Sequence, residues 1–304
     1  MVTCRCGLSF VSPRLPEAAL LARLQDWAVQ DTVDPARLAL AFEPATLALY
    51  ARHVDRLTRA LGQPGRLLDV GCATGAFMVA ARDKGWSVEG LEVGRASAAF
   101  ARERHGLRVT QGSLYDGAPD APFDAVALLE VVEHLPAPVA ALRRLRSWLR
   151  PGGRLFLTTP NFDSLFRRLH GPKWWVVNCE DEHIVLFTPS TIERALDQAG
   201  FAVEWLDTRS IDHAGLLAQA RRGSAAPAAQ PFAVADEQGY YDARRRKTAL
   251  KSMLDRVGML SAARAALRGQ DWLLSARGSP IRGLGEQIVL LARRDEDPAD
   301  PVAR

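Results

Sequence analysis

Short apolar runs alternate with amphipathic helical patterns between residues 67 and 208. The apolar runs have the length of buried strands and cover residues 67–71, 87–92, 108–111, 123–129, 154–159 and 202–208. Between them, apolar residues recur at helical spacing over residues 75–84, 95–105, 137–149 and 189–199. This alternation predicts an α/β fold, with a mostly parallel sheet and helices on both of its faces.

One further apolar run, Gln-Ile-Val-Leu-Leu-Ala at residues 287–292, predicts a strand about eighty residues after the sixth. Residues 210–284 therefore form an insertion, which contains an Ala-, Ser-, Gly- and Pro-rich linker at 222–229. A basic, amphipathic helix is predicted over residues 240–267. Two interpretations of this helix stay open, packing on the core and peripheral contact with a membrane or a lipid-linked substrate. We expect residues 295–304 to be a disordered tail.

The composition is that of a soluble enzyme, because 48% of the 304 residues are hydrophobic and no apolar run reaches the ~18 residues of a membrane span. We find no N-terminal signal pattern. The four cysteines form no disulfide framework, and we therefore expect a cytoplasmic protein. The net charge of +4 comes almost entirely from arginine, and we expect no nucleic-acid partner from it.

A small-residue turn follows the first strand of this alternating region, where residues 67–77 read Leu-Leu-Asp-Val-Gly-Cys-Ala-Thr-Gly-Ala-Phe. Glycines at Gly71 and Gly75 let the backbone approach a ligand closely, because they have no side chain and accept positive φ. Glu92 ends the next strand, about twenty residues later, where a carboxylate can accept hydrogen bonds from two ribose hydroxyls. The spacing predicts a nucleoside site over the carboxyl ends of the strands.

The same turn distinguishes between two nucleoside cofactors. A dinucleotide site needs glycine where this chain has Ala73 and Ala76, because the extra methyl groups crowd a pyrophosphate and the helix packing. S-adenosylmethionine (SAM) carries no pyrophosphate, and its amino-acid tail needs only backbone donors and an acidic neighbour such as Asp69. We therefore predict SAM rather than NAD.

A series of ordered motifs extends this prediction. They are Asp69 to Gly75, Glu92, Gln111 to Leu114, Phe123-Asp124, Glu130 to His134, Leu149 to Gly153, Thr159 to Asn161, Glu182-His183, Phe187 to Pro189 and Ala199 to Phe201. In this order and spacing, residues 67–203 resemble the class I SAM-dependent methyltransferases. In particular, they resemble the branch of ubiquinone-biosynthesis O-methyltransferases and related bacterial enzymes that act on sugars and secondary metabolites.

The resemblance implies a Rossmann-like, seven-stranded, mostly parallel sheet whose final strand, here residues 287–292, is antiparallel. It also implies the cofactor contacts. Ser113 stands where the family often has an aspartate that contacts adenine, and Phe77 and Val93 are open to core packing instead. The predicted cofactor-binding residues are Asp69, Gly71, Cys72, Ala73, Thr74, Gly75, Phe77, Glu92, Val93, Gly112, Ser113, Leu114, Glu130 and Val131.

The acceptor side of the site is expected in the turn after the fourth strand and in a lid over residues 160–187. His134 is the first candidate for a general base and His183 the second, because imidazole titrates near neutral pH. A structural role for His134 in its own loop is an equal alternative. The predicted substrate-binding residues are Glu133, Asn161, Trp174 and Trp175, although either tryptophan could instead anchor the lid on the core.

Two groups of residues raise the question of a metal. Glu130, Glu133 and His134 offer ligands within five residues, but the same side chains suit cofactor and substrate, and we expect no metal there. Cys4-Arg5-Cys6-Gly7 resembles the second knuckle of a zinc ribbon without an upstream cysteine pair, and a zinc site needs four ligands. We expect no bound zinc, and the simplest explanations are a start codon placed too late or a decayed ribbon.

The predicted organisation is a remnant knuckle at residues 1–14, a helical cap over the cofactor pocket at 15–62, a core at 63–209, the insertion at 210–284 and the last strand at 285–294. The predicted activity is methyl transfer from SAM to a small-molecule acceptor, in particular a hydroxyl group. The chain lacks the Asn/Asp-Pro-Pro-Tyr/Phe string of enzymes that methylate planar nitrogen atoms. A nucleic-acid or lipid-linked substrate and a non-catalytic SAM-binding module are the alternatives.

Overall fold

A computed structural model of the chain describes residues 1–13, 15–16, 19–20, 22–23, 31–117, 119, 122–171, 174, 176, 183–209 and 284–295. The chain divides into a larger unit, Met1–Asp207 with Glu286–Arg304, and a smaller unit, Thr208–Gly285. Four residues of the smaller unit, 208–209 and 284–285, are described. The predicted linker, the basic helix and residues 296–304 of the predicted tail lie outside the described residues, as do Trp175, Cys179 and Glu182.

The strands in chain order are β1 (Val2–Thr3), β2 (Ser9–Phe10), β3 (Arg66–Val70), β4 (Ser87–Glu92), β5 (Arg108–Gln111), β6 (Phe123–Leu129), β7 (Leu149–Pro160), β8 (Val185–Leu186), β9 (Phe201–Arg209) and β10 (Gln287–Arg294). Seven of them form one sheet in the order β5-β4-β3-β6-β7-β10-β9. The pairs from β5 to β7 are parallel, whereas β10 runs antiparallel to β7, from Gln287 opposite Pro160 to Arg293 opposite Arg154. The predicted seven-stranded, mostly parallel sheet with an antiparallel final strand is confirmed.

The helices are α1 (Pro35–Ala41), α2 (Pro44–Leu61), α3 (Ala76–Arg82), α4 (Arg95–His105), α5 (Pro138–Trp148), α6 (Leu165–His170) and α7 (Pro189–Gln198). Apolar side chains cover both faces of the sheet. Along β6, Val126 and Leu128 join one core cluster and Ala125 and Ala127 the other, as the alternation of side chains along a strand requires. Among the helices described, none has both the length and the apolar character needed to cross a membrane.

Strand β7 differs from its prediction. The apolar run predicts a strand that begins at residue 154, after a tight turn at the Pro-Gly-Gly sequence of residues 151–153, but the strand begins at Leu149. Leu149 pairs with Phe123 and Arg154 with Ala125, so four residues of β7 lie opposite one residue of β6. The turn is therefore a bulge inside the strand, and Gly152 supplies its left-handed conformation with φ of +71°.

The first residues of the chain form part of a second, smaller sheet. Strands β1 and β2 make a hairpin around Cys4 to Gly7, and β2 pairs with β8, with Ser9 opposite Leu186 and Phe10 opposite Val185. The segment predicted as a remnant knuckle is thus joined to the predicted lid, a contact between residues about 175 positions apart that no local pattern reveals.

Candidate active site

The turn between β3 and α3 is built for close approach. Gly71 has φ of +73°, and a Cβ atom there would lie 2.5 Å from Cγ2 of Val131. Gly75 has φ of +85°, and a Cβ atom there would collide with the side chain of Leu107. The turn is also held to the next strand, because the Gly71 amide donates to the Leu91 carbonyl at 2.7 Å. No larger residue fits at either glycine without moving a neighbour.

Glu92, at the end of β4, is 4% exposed and holds this turn. Its Oε2 accepts a hydrogen bond from the Ala73 amide at 2.7 Å, and its Oε1 accepts one from the Gly94 amide at 2.7 Å. A carboxylate has about four acceptor positions, more than these two amides occupy, so Glu92 can also accept a hydrogen bond from a ligand. Burial raises the pKa of Glu92, and the two amide bonds oppose that rise.

Asp31 lies beside Glu92 and Gly94. The sequence places it in the predicted helical cap but does not indicate this role. Its Oδ2 accepts a hydrogen bond from the Ser97 amide at 2.7 Å, and its Oδ1 lies 3.2 Å from Ser97 Oγ. The N-cap residue of α4, Gly94, has no side chain, and a Cβ atom there would lie 2.5 Å from Asp31 Oδ2. A distant carboxylate therefore caps α4 beside Glu92, whose pKa it raises further.

Asp69, near the end of β3, is 2% exposed, and its Oδ1 has no hydrogen-bond partner among the described residues. Burial, together with the nearby Glu92, raises the pKa of Asp69 to about 8. Such an acid needs a cation or a donor as its partner. The ammonium group of the amino-acid tail of SAM meets this need, and the side chains present here therefore fit that cofactor.

The residues predicted to contact adenine follow β5. The Gly112 amide donates to the Glu92 carbonyl at 2.9 Å, and Ser113 Oγ accepts a hydrogen bond from the Tyr115 amide at 3.1 Å. The carboxylate of Asp116, which sequence reasoning missed, accepts a hydrogen bond from the Ser113 amide at 2.6 Å. An acid thus lies at this corner, three residues later than the position that the family pattern predicts.

Two residues predicted beside adenosine belong to the core. Phe77 lies on α3 with its ring 6.3 Å from that of Phe156 and edge-on to Tyr50, and Leu114 is buried in the opposite cluster. Core packing accounts for the burial of Phe77, and its contact with the cofactor stays a prediction. Cys72 is also buried, and burial raises the pKa of its thiol, which keeps it neutral.

Glu130, just after β6, and Gln287 of β10 are joined by a hydrogen bond. Glu130 has φ of +54°, which is uncommon for a residue with a side chain, and its Oε1 accepts a hydrogen bond from Nε2 of Gln287 at 2.5 Å. Gln287 is the first residue of β10. The last strand was predicted, but not that it contributes a side chain to the site.

Glu133, His134 and His183 lie together just beyond β6, with one ligand atom from each within 4.8 Å of the others. Glu133 is fully buried; its Oε2 accepts a hydrogen bond from Thr159 Oγ1 at 2.9 Å, and its Oε1 has no partner among the described residues. Burial, together with Glu130, raises the pKa of Glu133 well above its usual range. The rings of His134 and His183 are 4.9 Å apart.

The backbone carbonyl of Val176 orients the ring of His183, because it lies 3.0 Å from Nδ1. A carbonyl only accepts, so Nδ1 carries the proton and Nε2 is the basic nitrogen. Within the described part of the chain, the three residues close enough to hold a metal are Glu133, His134 and His183. The sequence suggests Glu130 in place of His183. A metal-free site stays a prediction.

The pattern that defines the methyltransferase-domain family matches residues 43–206, more than half of the chain. The chain belongs to this family. It is 28% identical to a ubiquinone biosynthesis O-methyltransferase of Aeromonas salmonicida over 170 residues, which are 52% of this chain and 71% of that protein. It is 36% identical to the enzyme of the same name from Pseudomonas paraeruginosa over 119 residues, 36% of this chain and half of that protein.

Among solved structures, a 1,6-didemethyltoxoflavin-N1-methyltransferase of Burkholderia thailandensis with bound S-adenosylhomocysteine aligns over 95% of both chains, with a TM-score of 0.52 and 16% identity. That likeness shows the fold. A SAM-bound amino pentose methyltransferase from Micromonospora echinaspora is 32% identical over 42% of this chain and 57% of that chain, with a TM-score of 0.37. The protein is a SAM-dependent methyltransferase, and its cofactor is S-adenosylmethionine.

Two residues of the segment predicted as a lid, Asn161 and Trp174, are buried. Asn161 is fully buried; its amide donates to the Glu286 carbonyl at 2.7 Å, and its Oδ1 accepts a hydrogen bond from the Asp163 amide at 3.0 Å. Trp174 is buried with Val176 and Leu186, which favours the anchoring role over stacking on a substrate. Substrate contact by Asn161 and Trp174 stays a prediction.

Proposed function

We propose that this methyltransferase transfers a methyl group to a hydroxyl oxygen of a small molecule, such as a sugar, a quinone or a secondary metabolite. The observation that carries the proposal is the grouping of Glu133, His134 and His183 beyond β6, next to the glycine turn. A hydroxyl is a weak nucleophile, and its methylation needs a group that removes the proton. Two imidazoles and a carboxyl are suited to that task.

His183 is the better of the two candidate bases. Its Nδ1 donates to the Val176 carbonyl, so the proton of the acceptor would pass to Nε2. His134 lies beside it and can orient the same hydroxyl. Glu133, whose raised pKa favours the neutral carboxyl, can donate one hydrogen bond and accept another, which suits the positioning of a hydroxyl rather than the removal of its proton.

The cofactor supplies an electrophilic methyl group, and the chain holds it in place. We assign the ribose to Glu92, the ammonium group to Asp69, and the adenine edge to Ser113 with Asp116. The glycine turn, in which Gly71 packs against Val131, lets the backbone meet the amino-acid tail. Holding the nucleophile in line with the methyl group is then the main contribution of the protein to rate.

Two further observations support oxygen as the acceptor atom and a small molecule as the substrate. Both relatives described above are named as O-methyltransferases. The turn after β6 reads Glu-Val-Val-Glu-His, without the proline-aromatic string of enzymes that methylate planar nitrogen atoms. The basic helix on which a lipid-linked or nucleic-acid substrate would depend lies outside the described residues.

The proposal is tested by incubation of the protein with methyl-¹³C SAM and a panel of catechols, phenols, hexoses, nucleotide sugars and amines. Carbon NMR of the product distinguishes an O-methyl from an N-methyl group. With a hydroxyl acceptor, we expect His183→Asn to lower kcat by about 100-fold, the contribution of a general base. His170→Asn, at an exposed position of α6, is the matched control and should keep full activity.

Turnover of amines alone would overturn the choice of oxygen. Binding of S-adenosylhomocysteine without turnover of any acceptor would favour the non-catalytic alternative.

A further inference from the structure

The β1–β2 hairpin precedes residues 43–206, which the family pattern matches. It nevertheless pairs with β8, close to His183. Strand β8 starts two residues after His183, and it is only two residues long. A strand of that length has little stability of its own and needs partners. Its partner in the small sheet is β2.

Ile184, the residue after His183, is held from both sides. Its amide donates to the Glu133 carbonyl at 3.0 Å, and its carbonyl accepts a hydrogen bond from the Val11 amide at 3.0 Å. One residue thus connects the end of the hairpin to the turn that carries Glu133 and His134. The ring of His183 is also bonded to the Val176 carbonyl, so the backbone bonds of Ile184 add a second connection beside that ring.

The hairpin is itself well anchored. Ser9 is fully buried and its Oγ lies 2.8 Å from Thr3 Oγ1, which joins the two strands. At the turn, Arg194 of α7 donates from Nη1 to the Cys6 carbonyl at 2.8 Å. The hairpin is therefore a fixed support on which β8 lies.

We propose that the hairpin of residues 2–11 is a positioning element of the acceptor site, which holds His183 beside His134 and Glu133 through the pairing of β2 with β8 and the bond from Val11 to Ile184. This inference rests on the proposed function, because that function gives His183 its role. It assigns a task to the segment that the sequence indicates only as a remnant of a zinc-binding knuckle. A base displaced by an ångström loses much of its effect, so a support of this kind acts on rate.

Val11→Pro tests the contact, because proline has no amide hydrogen to donate to Ile184. Val11→Ala is the matched control, since it shortens the side chain and keeps the donor. A chain from which residues 2–11 are deleted tests the same support without a proline. Binding of S-adenosylhomocysteine, measured by calorimetry, reports whether each variant retains a folded cofactor half.

Two measurements follow the acceptor side directly. Hydrogen exchange of the segment 183–187 should be about tenfold faster in Val11→Pro, because one backbone hydrogen bond is lost. The ¹⁵N signals of the His183 ring, assigned with His183→Asn, should move from those of a single Nδ1–H tautomer toward a mixture. Affinity for S-adenosylhomocysteine should stay within about twofold, because the cofactor contacts are made elsewhere.

Unchanged exchange and unchanged His183 signals in Val11→Pro and in the deletion variant would overturn the proposal. Equal effects of Val11→Ala would also do so, because they would assign the effect to side-chain packing. Once an acceptor is identified, kcat should fall in Val11→Pro with little change in the KM for SAM. If the His183 signals move but His183→Asn keeps full kcat, the positioning contact stands and the proposed base role fails.

Discussion

Buried acids dominate the site at the level of single residues. Asp69, Glu92 and Glu133 are all buried, and burial raises the pKa of each. This arrangement is unfavourable in an empty site and favourable for a ligand that carries a sulfonium and an ammonium group. Charge complementarity is therefore the property of this site that the predictions below test.

Glu92→Ala tests the ribose contact. We expect S-adenosylhomocysteine to bind at least about tenfold more weakly, because charge-assisted hydrogen bonds are lost and the amides of Ala73 and Gly94 lose their acceptor. Calorimetric titration measures the change. Glu89→Ala, on the same strand but paired with Arg66, is the control and should bind normally. Equal affinities for the two variants would remove Glu92 from the site.

Asp69 predicts a dependence of cofactor affinity on pH. Its pKa of about 8 in the ligand-free protein means that the carboxyl is largely protonated at neutral pH, and an ammonium partner favours the ionised form. Binding should release a proton, and affinity should rise between pH 6 and 8, by up to about tenfold for each pH unit. Titration in buffers of different ionisation heat measures the proton.

In Asp69→Asn, both the pH dependence and the proton release should disappear. In the ligand-free wild-type protein, by contrast, the Asp69 carboxyl lowers the free energy of unfolding as the pH rises. Because its pKa is raised on folding, its contribution to the free energy of unfolding is full below about pH 4 and is lost as the pH rises toward 8. The increase in melting temperature caused by the cofactor should therefore be largest at the upper end of this range.

At the scale of elements, the helices and strands of the core could be predicted because their signals are local. The helix α4 and the strands β5 and β6 have the bounds that the apolar periodicity predicts. The early start of β7 was missed because its first residues pair across a bulge. The pairing of the hairpin with β8 could not be seen, since two residues of strand carry no detectable period.

In the site, too, the residues with a local sequence signal could be predicted and the others could not. Asp69 and Glu92 could be placed because a turn and a strand end have a fixed spacing. Asp31, Asp116 and Gln287 could not, because their roles depend on where distant or irregular segments pack. A carboxylate that accepts a hydrogen bond from a helix amide 66 residues further along the chain has no sequence signature.

Asp31 gives a prediction for α4. Asp31→Ala should lower the free energy of unfolding by about 1 kcal/mol, as the loss of a cap does, whereas Asp31→Asn should be close to wild type because an amide oxygen also accepts. Urea denaturation compares the two variants. A similar loss in both would mean that the charge, rather than the cap, stabilises this corner.

For the whole molecule, the position of β10 is decisive. It lies between β7 and β9, and among the described strands β10 is the neighbour that joins β9 to the sheet. A chain that ends at Gly283 lacks β10 and leaves the buried edge of β7 open, so we expect it to be insoluble or unable to bind S-adenosylhomocysteine. A chain that ends at Asp295 keeps the strand and should bind. Normal binding by the shorter chain would show that the sheet tolerates the gap.

The place of β10 also sets the order in which the protein can mature during synthesis. The ribosome makes the other six strands of the large sheet first and then the long insertion, and only afterwards the strand that fills the gap beside β7. Throughout that interval the apolar edge of the nascent sheet has no cover. The chain should therefore be a substrate for chaperones during translation, and its ability to bind the cofactor should appear late, when β10 has left the exit tunnel.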